Sequence, residues 1–184
     1  DTLEKCDAAG KLFKKEDVDL LVICEGTYFP DFMPIQTMEY LAGVPVLILL
    51  TQPKDHVPLD MTYRDSIHHS FGLVGVVQLA GACRKMDKKF EIIISSLDDE
   101  LIADKVLEYA NIVTTVRRLR FMNLGIIGHT FQGMYDLEID KTMLKSTIGP
   151  NVYYIELSEL IHECKATEWK ASEELGSEIM GKYK

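Results

Sequence analysis

No stretch of this chain approaches the roughly 18 consecutive apolar residues that would suggest a membrane-spanning helix, and none reads as a signal peptide. Positive charge is scarce too. Twenty Lys and Arg stand against 29 Asp and Glu, a formal net charge of −9. A surface that neutralises several phosphates needs clustered basic groups, so nucleic acid is not an expected partner. The one basic cluster, Arg117, Arg118 and Arg120, reads as the end of a helix. There are only four cysteines, Cys6, Cys24, Cys83 and Cys164, with no C-x-x-C pair and no Cys/His spacing of a zinc site. They are expected to be free thiols in a reducing compartment, with Cys24 in an apolar strand and Cys83 on an apolar helix face as small buried hydrophobes.

Two nucleotide signatures are also missing. Gly128 and Gly133 stand at the spacing of the two glycines in G-x-x-x-x-G-K-[ST], but Met134 replaces the phosphate-pairing lysine and Tyr135 the metal-binding hydroxyl. No complete G-x-G-x-x-G follows a strand. What remains from Gly125 to Asp136 is a strand-end loop that offers aromatic, amide and thioether groups to something uncharged and polar.

What the chain does have is hydrophobic content of 47% with 27% charged residues, enough for a packed core over 184 residues. Apolar runs at 19–24, 45–50, 90–95 and 123–127 read as strands buried on both faces, with a shorter fifth at 152–155. Segments of helical spacing lie between them, which argues an α/β chain with parallel sheet. Leu73, Val76, Val77, Ala80 and Cys83 form the expected core stripe of one helix; Leu101, Ile102, Val106, Tyr109, Ala110, Val113 and Val116 form that of the next. The first 15 residues read as an amphipathic helix with no strand before it, and the chain stops soon after another helix. A piece of a longer protein is therefore expected, with one α/β domain over 1–118 and the beginning of a second over 119–184.

In open parallel sheets, ligands bind beyond the carboxyl ends of the strands. The residues there are Glu25-Gly-Thr-Tyr-Phe-Pro30, Thr51-Gln-Pro53, Ser96-Leu-Asp-Asp99 and the Gly128 loop. Thr27, Gln52 and Gln132 supply hydrogen bonds, and Tyr28, Phe29 and Phe131 supply flat apolar faces, a combination suited to a sugar. The same residue types also make turns and plug sheet edges. His68 and His69 are expected at the start of a helix running to about Arg84, where the helix field favours a neutral, hydrogen-bonding imidazole. His129 can face the same ligand as the loop that carries it. Asp98 or Asp99 reads as a helix cap, Glu173 and Glu174 as a solvated face.

Taken in order, Asp17-Val-Asp-Leu-Leu-Val-Ile23 leading to Thr27-Tyr-Phe-Pro30, Gly43-Val-Pro-Val-Leu47 leading to Thr51-Gln52, His69 with Gly75, and Gly128-His-Thr-Phe-Gln-Gly-Met-Tyr-Asp136 resemble the L-fucose and L-arabinose isomerase family. The resemblance implies a Rossmann-like open parallel sheet with helices on both faces, followed by the beginning of a second such domain. It implies a cytoplasmic, homo-oligomeric aldose–ketose isomerase, an intramolecular oxidoreductase acting on a pentose or 6-deoxyhexose. It implies Mn²⁺ bound by residues from later in such a chain, so that this piece alone would be inactive and hold neither catalytic nor metal residues. The substrate-contacting residues that carry over are Tyr28 or Phe29, His69 or His68 reaching a neighbouring subunit's site, and Gln132 or Met134. The alternative expectation is a non-catalytic sugar-binding or regulatory α/β module; a purely structural assembly domain is a further rival.

Overall fold

A computed structural model describes residues 2–54, 56–167 and 169–183. The chain is mixed α/β and divides into two compact units, Asp1–Arg117 and Arg118–Lys184.

In the first unit a three-stranded parallel sheet is ordered β1 (Leu21–Glu25), β2 (Val46–Gln52), β3 (Phe90–Ser96). The helices between the strands are α2 (Phe32–Met38) and α3 (Tyr63–Lys85); α1 (Leu3–Lys15) precedes the sheet and α4 (Ile102–Phe121) follows it. Thr2 accepts a hydrogen bond from the Lys5 amide at 3.3 Å and so caps α1. Arg117 donates to the carboxylates of Asp17 and Asp19 and, at 3.1 Å, to the Asp17 carbonyl, which ties α4 to the approach to β1. The core gathers Leu21 and Ile23 of β1, Val46, Ile48 and Leu50 of β2, Met38 of α2, and Val76, Leu79 and Cys83 of α3.

β2 is the strand closest to burial on both faces; β1 alternates instead, with Leu21, Ile23 and Glu25 buried and Val22 and Cys24 exposed. Period-two geometry sets that pattern at an edge strand covered on one face. Cys24 is thus exposed rather than packed, whereas Cys83 is fully buried.

The core stripe of α3 is also rotated from the expected one. His69, Gly72, Gly75, Val76, Leu79 and Cys83 face inward, while Leu73 and Val77 are exposed. The helix is apolar on two sides, and spacing alone cannot choose which side meets a sheet. On α4 Ile102, Val106, Tyr109, Ala110 and Val113 are half-buried, as the spacing suggests, but Val116, and Leu101 just before the helix, are exposed and no residue of α4 is fully buried.

The second unit pairs β4 (Asn123–Ile127) with β5 (Asn151–Ile155) in parallel, with α5 (Lys141–Thr147) between them and α6 (Leu157–Ala166) and α7 (Trp169–Lys182) after them. Asp140 caps α5 through the Met143 amide at 2.9 Å. Lys145 donates to the Gly149 carbonyl at 2.7 Å and to Asn151 at 2.9 Å, fixing the turn into β5. β4 is not buried on both faces; four of its five residues are exposed. A two-stranded sheet has too little apolar neighbourhood to bury them.

Candidate functional site

At the carboxyl end of β1 the chain turns through residues 26–30. Tyr28 of this loop is 42% exposed, while Phe29 is half-buried and packs against the core. Of the two aromatic candidates, Tyr28 offers its ring outward. Beside them Cys24 and Thr51 approach across β1 and β2, sulfur to hydroxyl oxygen at 3.7 Å.

Glu25, the last residue of β1, is not among the residues that sequence motifs single out. Its side chain shares the inward face of β1 with Leu21 and Ile23 and is 1% exposed. Neither carboxyl oxygen has a hydrogen-bonding partner among the described residues. Burial pushes its pKa up to about 7, because an unpaired carboxylate is costly away from water. Two signals in the sequence point to it. A carboxylate stands in phase with two core residues of a strand, and α3 carries glycines where it crosses. A Cβ on Gly72 would lie 2.6 Å from the Glu25 carbonyl oxygen and 2.8 Å from Leu50 Cδ1. A Cβ on Gly75 would lie 2.7 Å from Glu25 Oε2. Small residues at both positions let helix and strand close around the acid.

The same helix carries the two histidines. α3 begins at Tyr63, not just before the pair, because Thr62 supplies the cap through the Asp65 amide at 3.2 Å. His68 and His69 therefore sit in the second turn, beyond the reach of the end effects that a helix-start position would give them. They project about 100° apart around the helix and differ in burial. His68 is exposed, its ring edge-on to Phe71 with centroids 5.3 Å apart; His69 is buried, and both its ring nitrogens lack a partner among the described residues. One helical turn separates His69 from Gly72, which rests on the Glu25 carbonyl.

At the end of β3, Asp99 is fully engaged. It accepts from the Leu101 amide at 2.9 Å, from Lys105 at 2.7 Å and from the Ser95 hydroxyl. The Lys105 contact, followed by those of Ser95 and Leu101, lowers its pKa to about 2. It acts as the start of α4, with both carboxylate oxygens hydrogen-bonded.

Gln132 and Met134 lie in the second unit, on an exposed loop whose glycines, Gly128 and Gly133, both have positive φ, 78° and 89°. The loop is pinned at its base. The Gly128 amide donates to the Ile155 carbonyl at 3.1 Å, His129 Nε2 stands 3.6 Å from Glu156, and Thr130 donates to Glu138 at 2.6 Å. Lys141 lies over the Tyr154 ring at 4.0 Å, and His129 tilts against the same ring. Phe131 and Met134 remain exposed.

A shallow depression of about 510 Å³ runs along α4 from Asp104 to Val116. One helix alone lines it, and it carries none of the strand-end loops. Among the described residues no group of three or more His, Cys, Asp or Glu stands close enough to hold a metal ion, and no helix is long and apolar enough to cross a membrane. The donors present among the described residues do not fit a Mn²⁺ centre. No protein-family model matches the chain, and no curated protein matches it.

Proposed function

We propose that this chain is the sugar-contacting part of a metal-dependent aldose–ketose isomerase of the L-fucose and L-arabinose isomerase kind, with a Rossmann-like architecture. The observation that supports the reading is at the end of β1: Tyr28, three residues beyond Glu25, is exposed, and the turn of α3 that follows the histidines meets the same strand end, where Gly72 rests on the Glu25 carbonyl. The four sequence motifs in family order support the same assignment.

In this reading Tyr28 lies against the apolar face of a pentose or 6-deoxyhexose, and Phe29 anchors the loop to the core. His68, exposed, reaches the site of a neighbouring subunit in a homo-oligomer, while His69 belongs to the interior. Gln132 and Met134 form an uncharged wall that suits hydroxyls and C–H groups better than phosphate. In such an enzyme the Mn²⁺ and the groups for proton transfer between C1 and C2 would be supplied by other residues than those of this chain. The setting is cytoplasmic.

The test is an isomerisation assay of the native protein on a panel of pentoses and 6-deoxyhexoses with Mn²⁺. Turnover of one of them, with KM raised about tenfold or more by Tyr28→Ala and folding intact, is the expected result. No turnover of any panel sugar contradicts the reading.

A further inference from the structure

We propose that Glu25 is a positioning residue: its uncharged carboxyl, lodged between β1 and α3 against Gly75, holds the histidine turn of α3 over the end of β1, and its ionisation releases that turn.

Three features meet at this place. The acid is 1% exposed with both oxygens unpartnered among the described residues, so it has no cation to stabilise a negative charge. α3 approaches so closely that a single added carbon at Gly72 or Gly75 would collide with Glu25. His69, one turn before Gly72, is itself buried, and neither ring nitrogen has a partner among the described residues, so its side chain adds no hydrogen bond to the docking of this turn, which rests on packing. The groups facing Glu25 are few. β2, its neighbour through the Glu25 and Leu50 pairing, carries no ionisable residue. The buried face of α3 brings His69 and, two turns beyond Gly75, Cys83, whose own pKa burial raises. The loop 26–31 adds Tyr28 and Asp31.

Opening the helix–strand contact lets water reach the carboxyl and returns it to its ordinary value of 4.5, while in the closed form it stays protonated to about 7. Linkage fixes the sign. Opening is independent of pH below about 4.5, becomes easier by tenfold per unit between 4.5 and 7, and levels off above, a total of roughly 300-fold. What the histidine turn does for a sugar rests on the isomerase reading; that Glu25 holds it does not.

The test is amide hydrogen exchange on this chain, corrected for intrinsic rates, at a series of pH values and low denaturant concentrations. The expected result is that amides 67–76 exchange through a local opening, nearly insensitive to denaturant, that grows roughly 300-fold from pH 4.5 to 7 and is flat in Glu25→Gln. Gly75→Ala, which keeps the acid but intrudes on it, opens the turn already at low pH. A wild-type profile flat with pH overturns the proposal. So does exchange of 67–76 only through the same denaturant-sensitive unfolding as β2, because Glu25 would then be a general stability group. In the native enzyme, KM for the sugar rises between pH 4.5 and 7 and levels off above in wild type but not in Glu25→Gln, with kcat alike. If exchange behaves as expected and no sugar is turned over, the isomerase reading fails and the positioning role stands.

Discussion

The two units are built from the same parts, parallel strands joined through a helix, and end in very different states. In the first, Leu47, Ile48 and Leu50 of β2 are completely buried, flanked by strands on both sides. In the second, β4 and β5 have only each other, and among the described residues only Gly149 and Pro150, in the turn before β5, are buried there. Strand sequences of comparable apolar content thus give a core or an open pair, depending on how many neighbours they find. Cooperative burial needs a third strand and a covering helix. The consequence for function is that the Tyr28 loop and the histidine turn stand on a packed scaffold. Gln132 and Met134 stand on a loop held by a handful of polar contacts.

The contrast is sharpest under core truncation. Leu47→Ala should cost about 2–5 kcal/mol by urea denaturation, through lost burial and the cavity left behind. Leu124→Ala in β4, whose side chain is 37% exposed, should cost below about 1 kcal/mol. Equal costs would mean that the number of neighbouring strands does not decide how much a strand buries.

Next in size is the pH dependence of the first unit. Glu25 has a folded pKa of about 7 against an ordinary 4.5, so its raised value favours the folded state fully below pH 4.5, and that advantage is lost as pH rises to 7. The loss amounts to about 3 kcal/mol. Denaturation at pH 4.5 and 8 should show it in wild type and not in Glu25→Gln.

Glycine replacement compares the units directly. Gly75→Ala places a carbon 2.7 Å from a buried carboxyl oxygen with nowhere to go, and overpacking of that kind costs about 1–3 kcal/mol. Gly125→Ala in β4 meets only Ile155 Cδ1, at 2.8 Å, the far end of a flexible side chain. Its cost should fall below about 0.5 kcal/mol, read from the same melts. The smallest effects are at the caps. Thr62→Ala should destabilise the first unit by about 1 kcal/mol, and Asp140→Ala should fray α5 by a similar amount, seen as lost helical dichroism rather than a shifted transition.

Strand positions are legible in the sequence because short apolar runs bounded by turn residues seldom form anything but strands, and all five strands lie within a residue or two of their expected bounds. Facing is less legible. Leu73 and Val77 are as apolar as Val76 and Leu79, and nothing within α3 says which pair meets β1 and β2. The start of α3 is hidden because the polar residues 62–66 mask its first turn; the signal is Thr62 followed three residues later by Asp65, an acceptor and an acid at cap spacing. Glu25 reads as the first residue of a loop, although its parity with Leu21 and Ile23 marks it as the last inward residue of a strand. Among the ligand-facing candidates the sequence supplies the residue types, and only the fold separates Tyr28 from Phe29 and His68 from His69.

The most direct test of the account is a titration of this chain with panel pentoses and 6-deoxyhexoses while backbone amide resonances are followed, at sugar concentrations well above about 1 mM, the upper end of common KM values. Saturable shifts at residues 25–30 and 67–72 of the first unit are expected for at least one sugar. Uniform small shifts, or none at these two segments for any sugar, would contradict it.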